Sequence, residues 1–295
     1  MLRISESMLA ETTLANIERN LDRLQALQSQ LTSGSKITKP SDDPVGTARA
    51  LDFQESITQT GQYLSNMDQA TSWLNTTDAS LGSVTDLLHR ARELAVQAAN
   101  GTLTPQDMSA IQSEVTQIQQ NALDLSHAKY GAYYLFSGTR SDQPGYVQAA
   151  PSSVSGAYTG NSQPILREIS PGVSMAVNTD PTSTFDPVFN ALSQLQTGVA
   201  SGSQTTVESS IGALDTALDA VLTARAQVGA KTNRLDFQKT RLGAIQVNLT
   251  GLLSDVKDVD MAQAITDFSI AQTTYQASLK ASAQALQPTL LDYLR

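Results

Sequence analysis

Apolar residues recur along this chain at intervals of three, four and seven. Leu14, Ile17, Leu21, Leu24 and Leu31 follow heptad spacing, with Gln28 as the polar interruption. That pattern predicts an amphipathic helix of coiled-coil type. "TSGS" at 32–35 ends it, because Gly34 can take the left-handed cap conformation. The next stretch, "KITKPSDDPVGTARAL" from Lys36 to Leu51, has helical pattern on both sides. Pro40 pushes Lys39 into extended geometry, Asp43 suits the cap of a new helix, and Pro44 fits its first position. The stretch predicts a stiff helix–joint–helix junction, although composition alone would equally describe a surface loop.

The helix after the joint is predicted to be long. Met67, Leu74, Leu81 and Leu88 repeat every seven residues, with Ala70, Thr77, Val84 and Ala91 as the companion seam. From Pro44 to Asn100 it would measure roughly 85 Å at ~1.5 Å per residue. "NGT" at 100–102 stops it. Thr104 then caps a third helix with Pro105 in its first position, and Met108, Ile111, Val115, Ile118, Ala122 and Leu125 form its apolar face.

The pattern changes between about Gly138 and Thr184. Proline and glycine cluster there, and "ILREI" (165–169) and "VSMAV" (173–177) alternate in the manner of strands. This predicts a small β-rich insert, the alternative being a loop without regular structure. Helical pattern then returns as one long segment. Val207, Leu214, Val221, Val228, Leu235, Leu242, Leu249 and Val256 hold one heptad position, which implies a left-handed supercoil. Its companion seam is apolar at Ile211, Leu218 and Leu253 but polar at Arg225, Thr232, Lys239 and Gln246. A last heptad helix runs from Ile265 through Phe268, Tyr275, Leu279 and Leu286, and Pro288 interrupts it before "TLLDYLR".

The fold class expected is mainly α with a small β insert. The layout is nearly palindromic: terminal helix, joint, long helices, insert, long helix, joint, terminal helix. The two ends should pair antiparallel as an inner coiled-coil level, and so should the two middles. Such a chain is a rod suited to standing beside copies of itself. The domains expected are 1–43 and 255–295 (inner coiled coil), 44–138 and 185–254 (helical rod), and 139–184 (outer β-rich domain).

Composition narrows the function classes. Aromatics are only 5%, which suits narrow seams better than a thick core. The net charge of −9 argues against nucleic acid, whose binders present basic surface. Cysteine is absent, so disulfides and thiolate metal sites are excluded. "MLRISESMLAETTLANIERN" has no apolar core of a cleaved signal peptide, and no run is apolar enough to predict membrane insertion. His89 and His127, each placed on a helix, make no HExxH pair. Asp255, Asp258 and Asp260 in "SDVKDVDMAQ" lack the spacing and glycine of a calcium loop, so they are assigned to a joint and helix start. No P-loop, dinucleotide fingerprint or Gly-x-Ser-x-Gly occurs, and no cofactor or catalytic activity is expected.

Several of these stretches resemble one family. "LTSGSKITKPSDDPVGTARAL" (31–51) is similar to the joint sequence of the bacterial flagellin family, and "KPSDDPVG" and "YYLFSGTRSD" (133–142) look most like its hook–filament junction branch. "VGAKTNRLD" (228–236) resembles a flagellin-family helix motif. "SDVKDVDMAQAITDFSIAQTTYQASLKASAQALQPTLLDYL" (254–294) resembles the family's C-terminal segment. The resemblance implies a structural subunit of the flagellum, in a ring of identical subunits that adapts hook to filament. Its neighbours would be another hook-associated protein on the hook side and flagellin on the filament side. An export chaperone would hold the C-terminal region, and the chain would leave the cell without a cleaved signal. Candidate assembly-interface residues are Leu14, Ile17, Leu21, Leu24, Leu31, Phe268, Tyr275, Leu279 and Leu286. Candidate joint residues are Pro40, Ser41, Asp42, Asp43 and Pro44 with Asp255, Asp258 and Asp260. Flagellin itself, and a secreted coiled-coil adhesin or effector binding through 139–184, are the competing readings. "RARELAVQAANGT" (90–102) also resembles the flagellin stretch read by an innate immune receptor, and helix packing accounts for the same residues.

Overall fold

The computed structural model describes residues 6–100, 103–150 and 153–285. The chain divides into two compact units, one of residues 1–59 and 245–295 and one of residues 60–244. Helices α2 (Pro44–Ala99) and α5 (Gln204–Lys257) contribute to both.

In the first unit, α1 (Glu6–Ser33) packs on α6 (Met261–Ala285). The half-buried positions of α1 include Thr13, Ile17, Asn20, Leu21, Leu24, Leu27 and Leu31. The facing positions of α6 are Ala264, Phe268, Ala271, Tyr275, Ser278 and Ser282. Asn20 Nδ2 donates to Ser278 Oγ at 2.9 Å. That polar pair sets the antiparallel register, as a single Asn does at a coiled-coil core position. Ile17, Leu21, Leu24 and Leu31 of the heptad frame read from the sequence keep to the seam, and two positions of that frame are corrected. Leu14 is exposed, and Leu27 rather than Gln28 continues the seam. The physical reason is that Thr13 and Asn20 occupy seam positions that a leucine count overlooks.

The second unit holds most of the buried core. Met67, Leu74, Leu81 and Leu88 of α2 are at most 1% exposed. Val207, Leu214, Val221, Val228, Leu235 and Leu242 of α5 are likewise buried. Their buried companions on α5 are Ser210, Ala217 and Ala224, three residues on, while Ile211 and Leu218 of the row taken from the pattern are half-buried against the same core. Arg225 and Lys239 of the polar row, together with Asp215, make ion pairs to α2. Arg225 Nε lies 3.0 Å from Asp78 Oδ1 and Lys239 Nζ 2.5 Å from Asp68 Oδ1, while Asp215 Oδ1 meets Arg92 Nε at 2.7 Å. Partner numbers fall on one strand of contact as they rise on the other, so α2 and α5 run antiparallel.

Helix α3 (Pro105–Ser126) starts with a capping box, Thr104 and Asp107 bonding each other's backbone N–H. The single long segment expected after the insert is two helices. α4 (Pro181–Ser201) ends at Gly202, whose φ is 65°, before α5 begins. α4 packs on α3. Its run of apolar positions reads as continuous with α5 because only one glycine breaks it.

Between α3 and α4 lie three separate antiparallel hairpins: β1–β2 (Lys129–Tyr130, Tyr133–Tyr134), β3–β4 (Tyr146–Ala150, Ser153–Tyr158) and β5–β6 (Leu166–Ser170, Val173–Ala176). The last is the pair read from the sequence, and the other two were not anticipated. β3 and β4 cover α3 and α4 around a cluster of Phe136, Tyr146, Tyr158, Phe185 and Phe189 rings. Tyr146 Oη donates to Asp186 Oδ1 at 2.8 Å, so the buried phenol is satisfied. His127 follows α3 as its C-cap rather than lying on the helix, and its Nε2 donates to the Tyr146 carbonyl at 2.7 Å.

Candidate functional site

The joint lies wholly within the first unit. Two chain segments cross there in short antiparallel pairing. Lys36 N–H donates to the Lys257 carbonyl at 2.6 Å, Val259 N–H donates to the Gly34 carbonyl at 3.1 Å, and Ser35 sits opposite Asp258. Gly34 has φ 66°, the left-handed conformation that reverses the chain after α1. Ser35 is buried and its Oγ donates to the Ile37 and Lys257 carbonyls.

Each acidic joint residue has a local task. Asp42 Oδ2 accepts from Thr38 Oγ1 at 2.8 Å and from the Lys39 and Thr38 N–H groups. The Thr38 hydroxyl and the Lys39 amide hold its carboxyl below the usual range. The carboxylate ties the turn that contains Pro40 and Ser41, both exposed. Asp43 Oδ1 accepts from Gly46 N–H at 2.9 Å, capping α2 immediately before Pro44. Gly46 is buried against this cap. A Cβ there would lie 2.8 Å from Ile37 Cδ1 and would collide with the Asp43 carboxylate. Asp260 Oδ1 accepts from Ala262 and Gln263 N–H and caps α6. Asp258 Oδ2 accepts from Ser254 Oγ at 2.6 Å, and Asp255 is exposed on the last turn of α5. Sequence reasoning did not single out Ser35, Gly46 or Asn20. A glycine two residues into a capped helix was the available signal for Gly46, since glycine is otherwise unfavourable there.

Of the nine interface candidates, Ile17, Leu21, Leu24, Leu31, Phe268 and Tyr275 are half-buried along the α1–α6 pair. Leu14 (57% exposed) and Leu279 (42%) lie off the seam, and Met261 and Ile265 are exposed with them. Leu286 lies outside the described residues. Among the described residues, no group of three or more His, Asp or Glu could hold a metal ion, and no helix is long and apolar enough to cross a membrane.

These features define a class: helical subunits whose first and last described helices pair while a second antiparallel pair carries the core. The chain belongs to the flagellin family. The family's N-terminal helical region matches residues 4–141 and its C-terminal helical region residues 211–294. Within that family it is similar to flagellar hook-associated protein 3 of Escherichia coli K12, at 26% identity over 95% of this chain and 96% of the relative. The flagellar filament core protein flaB2 of Brachyspira hyodysenteriae is 30% identical over 90% of each chain. Among solved structures, a flagellar hook-associated protein from Vibrio parahaemolyticus superposes with TM-score 0.68 at 25% identity, covering 74% of this chain and all of the other.

Proposed function

We propose that this chain is a structural subunit of the bacterial flagellum, forming the junction ring that adapts the hook to the filament. The observation that carries the reading is the similarity to hook-associated protein 3 along almost the full length of both chains. It joins there with a fold whose terminal pair, α1 and α6, leaves Leu14, Ile265 and Leu279 about half exposed in one subunit. Exposed apolar residues ranged along one pair of helices suit burial against neighbours. In this reading Leu14, Ile17, Leu21, Leu24 and Leu31 with Phe268, Tyr275, Leu279 and Leu286 form the ring's self-contacts. The neighbours are a hook-associated protein on one side and flagellin on the other. An export chaperone covers the C-terminal stripe before secretion without a cleaved signal. The joint, Pro40 to Pro44 with Asp255, Asp258 and Asp260, passes torque along the subunit, and its caps and cross-strand bonds keep it stiff.

The similarity to filament proteins supports flagellin as the second reading. Removing the chain separates the two. A junction subunit leaves hooks without filaments and flagellin released into the medium. Immunogold labelling then marks one point per flagellum when the chain is restored. Label along the whole filament would overturn the junction reading in favour of flagellin. Intact filaments in the deletion strain would overturn both.

A further inference from the structure

Between β4 and α4 the chain makes a lobe that closes on itself. Asn178 is buried and bonds across the base of the lobe in both senses. Its Oδ1 accepts from Ile165 N–H at 2.9 Å, and its Nδ2 donates to the Gln163 carbonyl at 3.0 Å. Beside it, Val177 N–H donates to the Ile165 carbonyl at 2.9 Å. Residues 163–178 thus form a compact body around the β5–β6 hairpin with their two ends held together. The hairpin strands pair with each other and with no other strand, and among the described residues no backbone hydrogen bond joins the lobe to another element.

Side chains hold the lobe to the helices. Ile169, Met175 and Val177 are buried in the core of the second unit. Asn66 of α2 donates from Nδ2 to the Glu168 carbonyl at 3.0 Å. Lys231 of α5 donates from Nζ to the Asn178 carbonyl at 2.7 Å, so it grips the same residue that closes the base.

The closed position carries two costs at this point. Lys231 is half-buried, and among the described residues no carboxylate pairs with it. Burial pushes its ammonium below the usual lysine range. Thr179, the first residue after the lobe, is 4% exposed, and its Oγ1 has no hydrogen-bond partner among the described residues. Lifting the lobe would hydrate both groups, so the bond from Lys231 to Asn178 works against a standing tendency to open.

We infer that residues 163–178 form a lid that opens as one unit, and that Lys231 is its latch. Opening turns out Ile169, Met175 and Val177, an apolar face that the closed lid hides, while α4 and α5 stay folded.

Lys231→Met keeps an apolar stem of similar length and removes the ammonium, which leaves the buried Asn178 carbonyl without its donor. That loss should speed opening about 5- to 150-fold. Amide exchange on the full chain reads the change. Amides of residues 165–177 should exchange faster by one common factor. Amides of α4 and α5 should keep their protection, which also shows that the variant is folded. Unchanged or slower exchange of the lobe in Lys231→Met would overturn the latch, because burial of the charge would then outweigh the bond. Faster exchange confined to one or two amides, or spread through α4 and α5, would overturn the lid.

Discussion

Replacing Gly46 with alanine should loosen the joint, although helix propensity alone predicts the opposite. Glycine to alanine inside a helix is worth about 1 kcal/mol in favour of alanine. Here the new methyl would lie 2.8 Å from Ile37 Cδ1 and would strike the Asp43 carboxylate that caps the helix. Moving that carboxylate gives up a cap worth about 1 kcal/mol. Crowding a methyl against Ile37 costs about 1–3 kcal/mol. The net change is a local loss of about 1–3 kcal/mol, which in amide exchange is roughly a 5- to 150-fold faster opening of the first turn of α2. Ile37→Ala in the same chain should recover part of the protection, because it removes one of the two obstacles. Exchange at residues 46–50 that is unchanged or slower in Gly46→Ala would refute the reasoning, since propensity would then have prevailed over the clash.

In the second unit, Leu81→Ala removes a fully buried side chain and should lower unfolding stability by about 2–5 kcal/mol, read from the denaturant midpoint; a loss below about 1 kcal/mol would mean the seam closes over the gap. The Asp78–Arg225 pair is partly exposed, so a double-mutant cycle with Asp78→Asn and Arg225→Gln should give a coupling of only about 0.2–1 kcal/mol, fading in 1 M salt. Asp42 has its carboxyl held below the ordinary value of 3.8, so its contribution is complete above that pH and is lost as the pH falls through the lower folded value. Amide protection at Thr38 and Lys39 should therefore be flat from pH 8 to 5 and fall below about pH 4 after correction for intrinsic exchange, while Asp42→Asn should remove that dependence. Tyr146 and Tyr158 have phenols raised by burial, so two of the eight tyrosines should resist ionisation above pH 10 until the unit unfolds.

The core of the second unit was legible because its seam residues are large and strictly periodic. Met67, Leu74, Leu81 and Leu88 could be placed from their numbers alone, and the caps at Thr104 and Pro105 followed from residue type. The frame of α1 slipped at Leu14 and Gln28 because its seam contains Thr13 and Asn20, and α6 answers with Ala264, Ala271, Ser278 and Ser282. Small and polar residues in a seam leave no hydrophobic signal, although they allow close packing. The β3–β4 hairpin was missed for a related reason, "YVQAAPSSVSGAY" being rich in residues that favour no element strongly. The acidic residues of the joint were found by spacing. The helix-start roles of Asp43 and Asp260 were legible with them, whereas the turn tie of Asp42 and the hydroxyl acceptor role of Asp258 were not, because such tasks look alike in a list of aspartates.

A seven-residue repeat is blind to translation by its own period. If α5 slid along α2 by one heptad, about 10.5 Å, leucines and valines would again face leucines and valines. The three ion pairs distinguish these settings. Displaced by seven residues either way, Lys239 would face Gly61 or Asn75, Arg225 would face Thr71 or Thr85, and Asp215 would face Thr85 or Ala99. Not one of those five residues carries a charge. The pairs thus act as the teeth of a ratchet, weak singly yet silent at every neighbouring notch. A subunit loaded along its length would have to disengage all three before its helices could slip.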